Sequence, residues 1–199
     1  VKNEKQIEYM KIAGRITGEV LNLMGSEVRE GISTEKLDKI AEDFIRSKGA
    51  VPSFKGYGGF PASICTSVNE EVIHGIPGKR ILKNGDIISI DVGAFINGFH
   101  GDAARTFIVG ETSLEARKLI DVTEQSFFEG IKFAKAGNHL HQISASIQRH
   151  AEASGFSVVR EYVGHGIGEN MHEAPQIPNY KVGSRGPKLC KGMVLAIEP

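Results

Sequence analysis

The chain runs through one pattern twice. A shift of 106 residues lays Gly31 on Gly137, Leu37 on Ile143, Ala41 on Ile147 and Gly49 on Gly155. A shift of 107 lays Leu82–Asp91 over Leu189–Glu198. In each copy a leucine leads into a polar turn with glycine, then an apolar strand that ends on a carboxylate. Identity between the copies is low, but the order helix, helix, turn, strand, carboxylate is kept in both. The expectation is an α+β chain made of two similar halves, roughly residues 10–110 and 115–199. They form one domain over 1–199, arranged around one site.

Helical spacing recurs where that pattern needs it. Ile12, Ile16, Val20 and Leu23 form one stripe. Leu37, Ile40, Ala41, Phe44 and Ile45 form the next, with Ser33 or Thr34 as N-cap and Gly49 as the stop. Leu119, Val122, Phe127 and Ile131, then Ile143, Ile147 and Ala151 before Gly155, make the second pair. The 24 glycines cluster between these zones, around residues 56–110 and 164–192, where strands and turns are expected. The first half continues past Asp91 through Asn97-Gly98, a hairpin signal, to a second carboxylate at Asp102. The second half reaches Glu198 and stops at Pro199. The repeat therefore predicts a further returning strand with a further carboxylate beyond the sequence, and a chain that is a fragment of a longer one.

Composition excludes several classes. Net charge is zero, with no polybasic run, so neither nucleic acid nor a membrane surface is an expected partner. Cys65 and Cys190 cannot make a disulfide framework in a chain of this length, which favours a reducing compartment. Val1–Arg15 is charged throughout and the apolar stretches are strand-length, so a cytoplasmic protein without leader or span is expected.

The chemistry gathers at a few positions. Ile87–Gly93 is a continuous apolar run with Asp91 inside it, and a buried carboxylate is costly unless paired or metal-bound. A hairpin at Asn97-Gly98 sets Asp91 and Asp102 on adjacent strands, where a cation between them relieves their repulsion. The alternative is that Asp102 pairs with Arg105 and Asp91 caps a turn. His165 lies in Gly-His-Gly-Ile-Gly, open to approach, and His172 follows seven residues later. A lone histidine is more often structural than a ligand. Asp, Asp, His and Glu198 together make an oxygen-rich set with one nitrogen, suited to a hydrolytic pair of Mn, Fe, Co or Zn ions. His74 and His172 are then left for acid–base work.

These residues resemble a family. Asp91, Asp102 eleven residues on, His165 in its glycine loop and Glu198 in Ile-Glu-Pro resemble the creatinase-like or pita-bread metallopeptidases. Ser67-Val68-Asn69-Glu70 through His74-Gly75-Ile76-Pro77, and His172-Glu173-Ala174-Pro175, are similar to type I methionine aminopeptidases in particular. The resemblance implies the pita-bread fold, a curved antiparallel sheet covered by helices with two divalent ions at its centre. It implies that Asp91 is a bidentate ligand of one metal, that Asp102 bridges both, and that His165 and Glu198 hold the other. His74 and His172 would contact the scissile peptide. A metal-activated water would be the nucleophile, with Glu198 as general base.

The substrate implied is an N-terminal methionine followed by a small residue, on nascent chains and with a link to the ribosome, cleaved by a cytoplasmic monomer. Its side chain would sit against Tyr57, Phe60, Cys65 and Met171. Tyr57 and Phe60 also read as plain core aromatics. Met171 stands where the family has an aromatic residue and Ala174 where it has a second acid, while a second bridging glutamate would lie beyond Pro199. Rival readings are an Xaa-Pro aminopeptidase or dipeptidase of the same fold, and an inert truncated scaffold.

Overall fold

The computed structural model describes every residue, Val1–Pro199. Its chain divides into two compact units, Glu8–Leu114 and a second made of Glu115–Pro199 with Val1–Ile7.

In the Glu8–Leu114 unit, helices α1 (Glu4–Glu27, whose first turn belongs to the other unit) and α2 (Thr34–Ser47) precede strands β1 (Val51–Pro52), β2 (Ile64–Val68), β3 (Ile87–Ile96) and β4 (Phe99–Ile108). Ser33 caps α2, its Oγ accepting from the Lys36 N–H at 3.3 Å, and Gly49 follows the helix at φ +74. The β3–β4 hairpin closes over Asn97 and Gly98, both at positive φ, as a two-residue turn matched to strand twist requires. β3 is central: β4 lines one edge throughout, while β2 and β1 share the other, all antiparallel.

Alternation along β3 sorts its side chains. Ile88, Ile90, Val92 and Ala94 are fully buried, and pack with Ile16, Val20, Met24, Leu37, Ala41 and Ile45 of the two helices. The helical face also demands Gly101, because a Cβ there would lie 2.6 Å from the Ala13 carbonyl carbon. The other face carries Ser89, Asp91 and Gly93, with Cys65, Ser67, Asp102 and Thr106 beside them by register. One side of the sheet is thus core, and the other is free to do chemistry.

In the second unit, helices α3 (Leu114–Ile131) and α4 (Leu140–Ala153) precede β5 (Gly164–Gly166), β6 (Glu173–Ile177) and β7 (Leu195–Ala196), with β5 in the middle. Ile143, Ile147, Ile177 and Leu189 form its core. The sequence offset carries into local geometry. α2 and α4 both have 14 residues, start 106 positions apart, and follow N-caps in extended conformation, Ser33 and His139. Gly31 and Gly137, Gly49 and Gly155, and Gly85 and Gly192 pair at positive φ. Gly31 N–H bonds Leu82 O and Gly137 N–H bonds Leu189 O, each at 2.9 Å. The apolar strand expected over Val194–Ile197 is shorter in the structure, two residues, Leu195 and Ala196, paired with Gly166 and His165 of β5. No helix is long and apolar enough to cross a membrane.

Candidate metal centre

Asp91 and Asp102 lie on the same face of the β3–β4 ladder. Cys65 is directly opposite Asp91, and Asp102 is opposite Gly93, two residues further along β3. Residues so related are diagonal neighbours, within reach across the strands. Both acids are partly buried. Their common field is registered by Cys65: burial pushes its thiol far above the ordinary range, and the charges of Asp91 and Asp102 push it further. Asp91 sits in mid-strand, so it caps no turn. Arg105 projects to the opposite face, where its Nη1 donates to Asn22 Oδ1 at 3.2 Å. The pairing of Asp102 with Arg105 is therefore not what the fold provides.

β2 is held in place by Asp38 of α2, whose Oδ1 accepts from Ser63 N–H at 2.8 Å and Ile64 N–H at 3.0 Å. Burial raises the Asp38 carboxyl above its ordinary value, against the lowering by those two donors. On the far side of β2, Thr66 N–H donates to Gly75 O at 2.8 Å and Gly75 N–H to Ser67 Oγ at 3.1 Å. That seats exposed His74, at φ +57, beside the strand that bears Cys65. A side chain at 75 would run into the Thr66 carbonyl, so only glycine allows this approach. Tyr57 opens a short helical turn (Tyr57–Gly59) and is 49% exposed, and Phe60 is partly exposed, so neither is a core aromatic.

In the second unit, His165 is central to β5 and only 7% exposed. Its Nδ1 lies 2.9 Å from the Gly166 carbonyl. A carbonyl only accepts, so Nδ1 carries a proton, and in the neutral ring the lone pair is then on Nε2. That Nε2 is 3.2 Å from Glu198 Oε1. A lone pair facing a carboxylate oxygen needs a positive centre shared between them, a proton or a metal ion. A ligating histidine that donates its other nitrogen to a carbonyl is the usual arrangement at metal sites. The donors fit a divalent cation. The ring of exposed His172 lies 4.2 Å from that of His165, centroid to centroid. Met171, just before it, is buried.

The structure therefore gathers the predicted residues into two groups: Asp91, Asp102 and Cys65, with the His74 loop, in one unit, and His165, His172 and Glu198 in the other. Two further features escaped the sequence. His100 lies on the Asp102 face with its Nδ1 2.9 Å from Ser53 Oγ. Lys2 Nζ meets Glu173 Oε2 at 2.6 Å. Burial pushes the Glu173 carboxyl up, but Lys2 and the Asn170 N–H together outweigh it and hold the group below the ordinary range. Glu173 is the residue after His172, the only hint available. Lys2 gives none.

The family model for metallopeptidase family M24 matches residues 8–199. The chain belongs to that family. It is 62% identical to a methionine aminopeptidase of Clostridium acetobutylicum, over all of this chain and 80% of the relative. The crystal structure of the Thermotoga maritima methionine aminopeptidase superposes with a TM-score of 0.96 at 43% identity, covering 99% of this chain and 80% of that one. A Bacillus anthracis Xaa-Pro dipeptidase is more remote, with a TM-score of 0.87 at 26% identity and 54% of its chain covered. The α+β class holds, and with family membership the pita-bread fold that the resemblance implied.

Proposed function

We propose that this M24 chain is a metal-dependent aminopeptidase that removes N-terminal methionine when the second residue is small. The observation that carries the reading is His165, its Nδ1 fixed by the Gly166 carbonyl and its Nε2 turned to Glu198. Asp91, Asp102, His165 and Glu198 would hold two divalent ions of Mn, Fe, Co or Zn type, with the two compact units as halves of one catalytic domain. What supports joining the four is their order along the chain, together with the match of the whole chain to methionine aminopeptidases. When bound, the ions supply Lewis acidity and an activated water.

The chain's own groups would do the rest. Glu198 takes the proton from the attacking water. His74 and His172 hydrogen-bond the scissile peptide and steady its developing charge. Tyr57, Phe60, Cys65 and Met171 enclose the unbranched thioether, for which an apolar, sulfur-containing lining is suited. The substrates would be nascent chains in the cytoplasm, near the ribosome, met by a monomer.

The test is hydrolysis of Met-Ala-Ser against Ala-Pro-Ser with Mn2+ or Co2+ added. Methionine release with the control uncut is expected. Cleavage of Ala-Pro-Ser alone would favour an Xaa-Pro peptidase, for which the dipeptidase likeness is the supporting observation. Failure on both peptides, with no Mn2+ bound, would leave an inert scaffold.

A further inference from the structure

The loop from Gly168 to His172 joins β5 to β6, and so connects His165 to His172. It is short and closes on itself, Gly168 N–H donating to Asn170 O at 3.0 Å. Within it Gly168 and Met171 are buried, while Glu169, Asn170 and His172 are exposed. Loop backbone of this kind holds a side chain only as firmly as its anchors allow.

Its anchor comes from the other end of the sequence. Lys2 donates through its backbone N–H to Gly192 O at 2.7 Å, in the turn that leads to β7 and Glu198. Its side chain is 10% exposed and reaches Glu173 Oε2 at 2.6 Å. The same carboxylate receives the Asn170 N–H on Oε1 at 3.1 Å, so both of its oxygens are engaged. Gly168 completes the seat: a Cβ there would collide with the Lys2 ammonium end and lie 2.7 Å from Glu173 Oε1. Gly192 is likewise kept bare by Val1 and the Lys2 carbonyl. Gln6 Nε2 adds a bond to Glu169 Oε1 at 3.3 Å. An ammonium with little exposure, held by main-chain and side-chain bonds at once, is unlike the exposed Lys191–Glu4 pair nearby, whose side chains are 89% and 93% exposed.

We propose that Lys2 is a positioning residue of this site: its ion pair with Glu173, over bare Gly168, fixes the loop that presents His172 against His165, while its backbone bond to Gly192 ties the Glu198 arm to the same clasp. A half-enclosed ion pair with both partners further bonded is the kind that holds geometry, where a loose surface pair adds little. The catalytic meaning of His172 rests on the aminopeptidase reading. The positional dependence on Lys2 does not.

The test follows the ring resonances of 13C-labelled histidines in the metal-free, full 199-residue chain, with His172 and His165 assigned by substitution. Lys2→Met should shift or broaden the His172 peak, and the His165 peak with it, leaving His74 and His100 in place. Lys2→Arg should restore both, and Lys191→Met should change nothing. If Lys2→Met does not fold, Lys2→Gln carries the test in the same way. With Mn2+ added, the Lys2→Met chain should lose about tenfold or more in kcat on Met-Ala-Ser with KM little changed, as misplacement of a group near the reacting bond does. A His172 peak that stays put in a folded, uncharged variant would overturn the proposal and leave the pair a simple staple. If the unsubstituted chain releases no methionine while His172 still answers to Lys2, the functional reading fails and the clasp stands.

Discussion

Gly164 and Gly166 hold His165 between two backbones. A Cβ on Gly164 would strike the Ala196 carbonyl, and one on Gly166 the Ala174 carbonyl. Gly164→Ala should therefore pry β5 from β7 and cost about 2–3 kcal/mol, measurable as a lower urea midpoint, since overpacking against backbone cannot relax cheaply. Elsewhere, Glu42 accepts from Lys55 Nζ at 2.7 Å and from Arg46 Nε at 2.8 Å, and these donors hold its carboxyl down at about 2. The folded value lies below the unfolded one of 4.5, so the stabilisation is full above pH 4.5 and disappears as pH falls towards 2. Glu42→Gln should flatten that acid limb and cost about 1 kcal/mol at neutral pH, read from melts across the range. The residues proposed as ligands stood out in the sequence because glycines flank a histidine and acids interrupt apolar runs. The Lys2–Glu173 pair was not, being 171 residues apart in sequence, a distance over which no periodicity speaks.

Helices and turns carried their own signals. Ser33 capped where a Ser or Thr was expected, and Asn97-Gly98 turned because both residues accept positive φ. Ser33→Ala should cost about 1 kcal/mol in a thermal melt. What the sequence could not show is how tightly elements press together. Gly14 and Gly18 of α1 have open space where a Cβ would go, whereas one on Gly130 of α3 would lie 2.8 Å from Ile147 Cγ1 of α4. All three look alike as letters in a helix. Alanine at 14 or 18 should raise stability by about 0.5–1 kcal/mol, and alanine at 130 should lower it by about 1–3 kcal/mol, a difference in sign that chemical denaturation resolves. The shortness of β7 was hidden too: an apolar run states that a strand is possible, but only backbone pairing, here of Leu195 and Ala196 with β5, states how much of it is one.

At the scale of the whole chain, the units are not two successive blocks of sequence. Residues 1–7 belong with 115–199, across the whole of Glu8–Leu114. Removing them should lower hydrogen-exchange protection in β5 and β6 while β2–β4 keep theirs, a pattern that mass spectrometry of peptides would resolve. The same connectivity sets an order of events during synthesis. Once Leu114 has left the ribosome, β3 already has every strand it pairs with, and that unit can consolidate. Residues 1–7, made before that unit, have no seat until Gly192 and Glu173 have been made. A segment made before Glu8–Leu114 is therefore among the last to find its place.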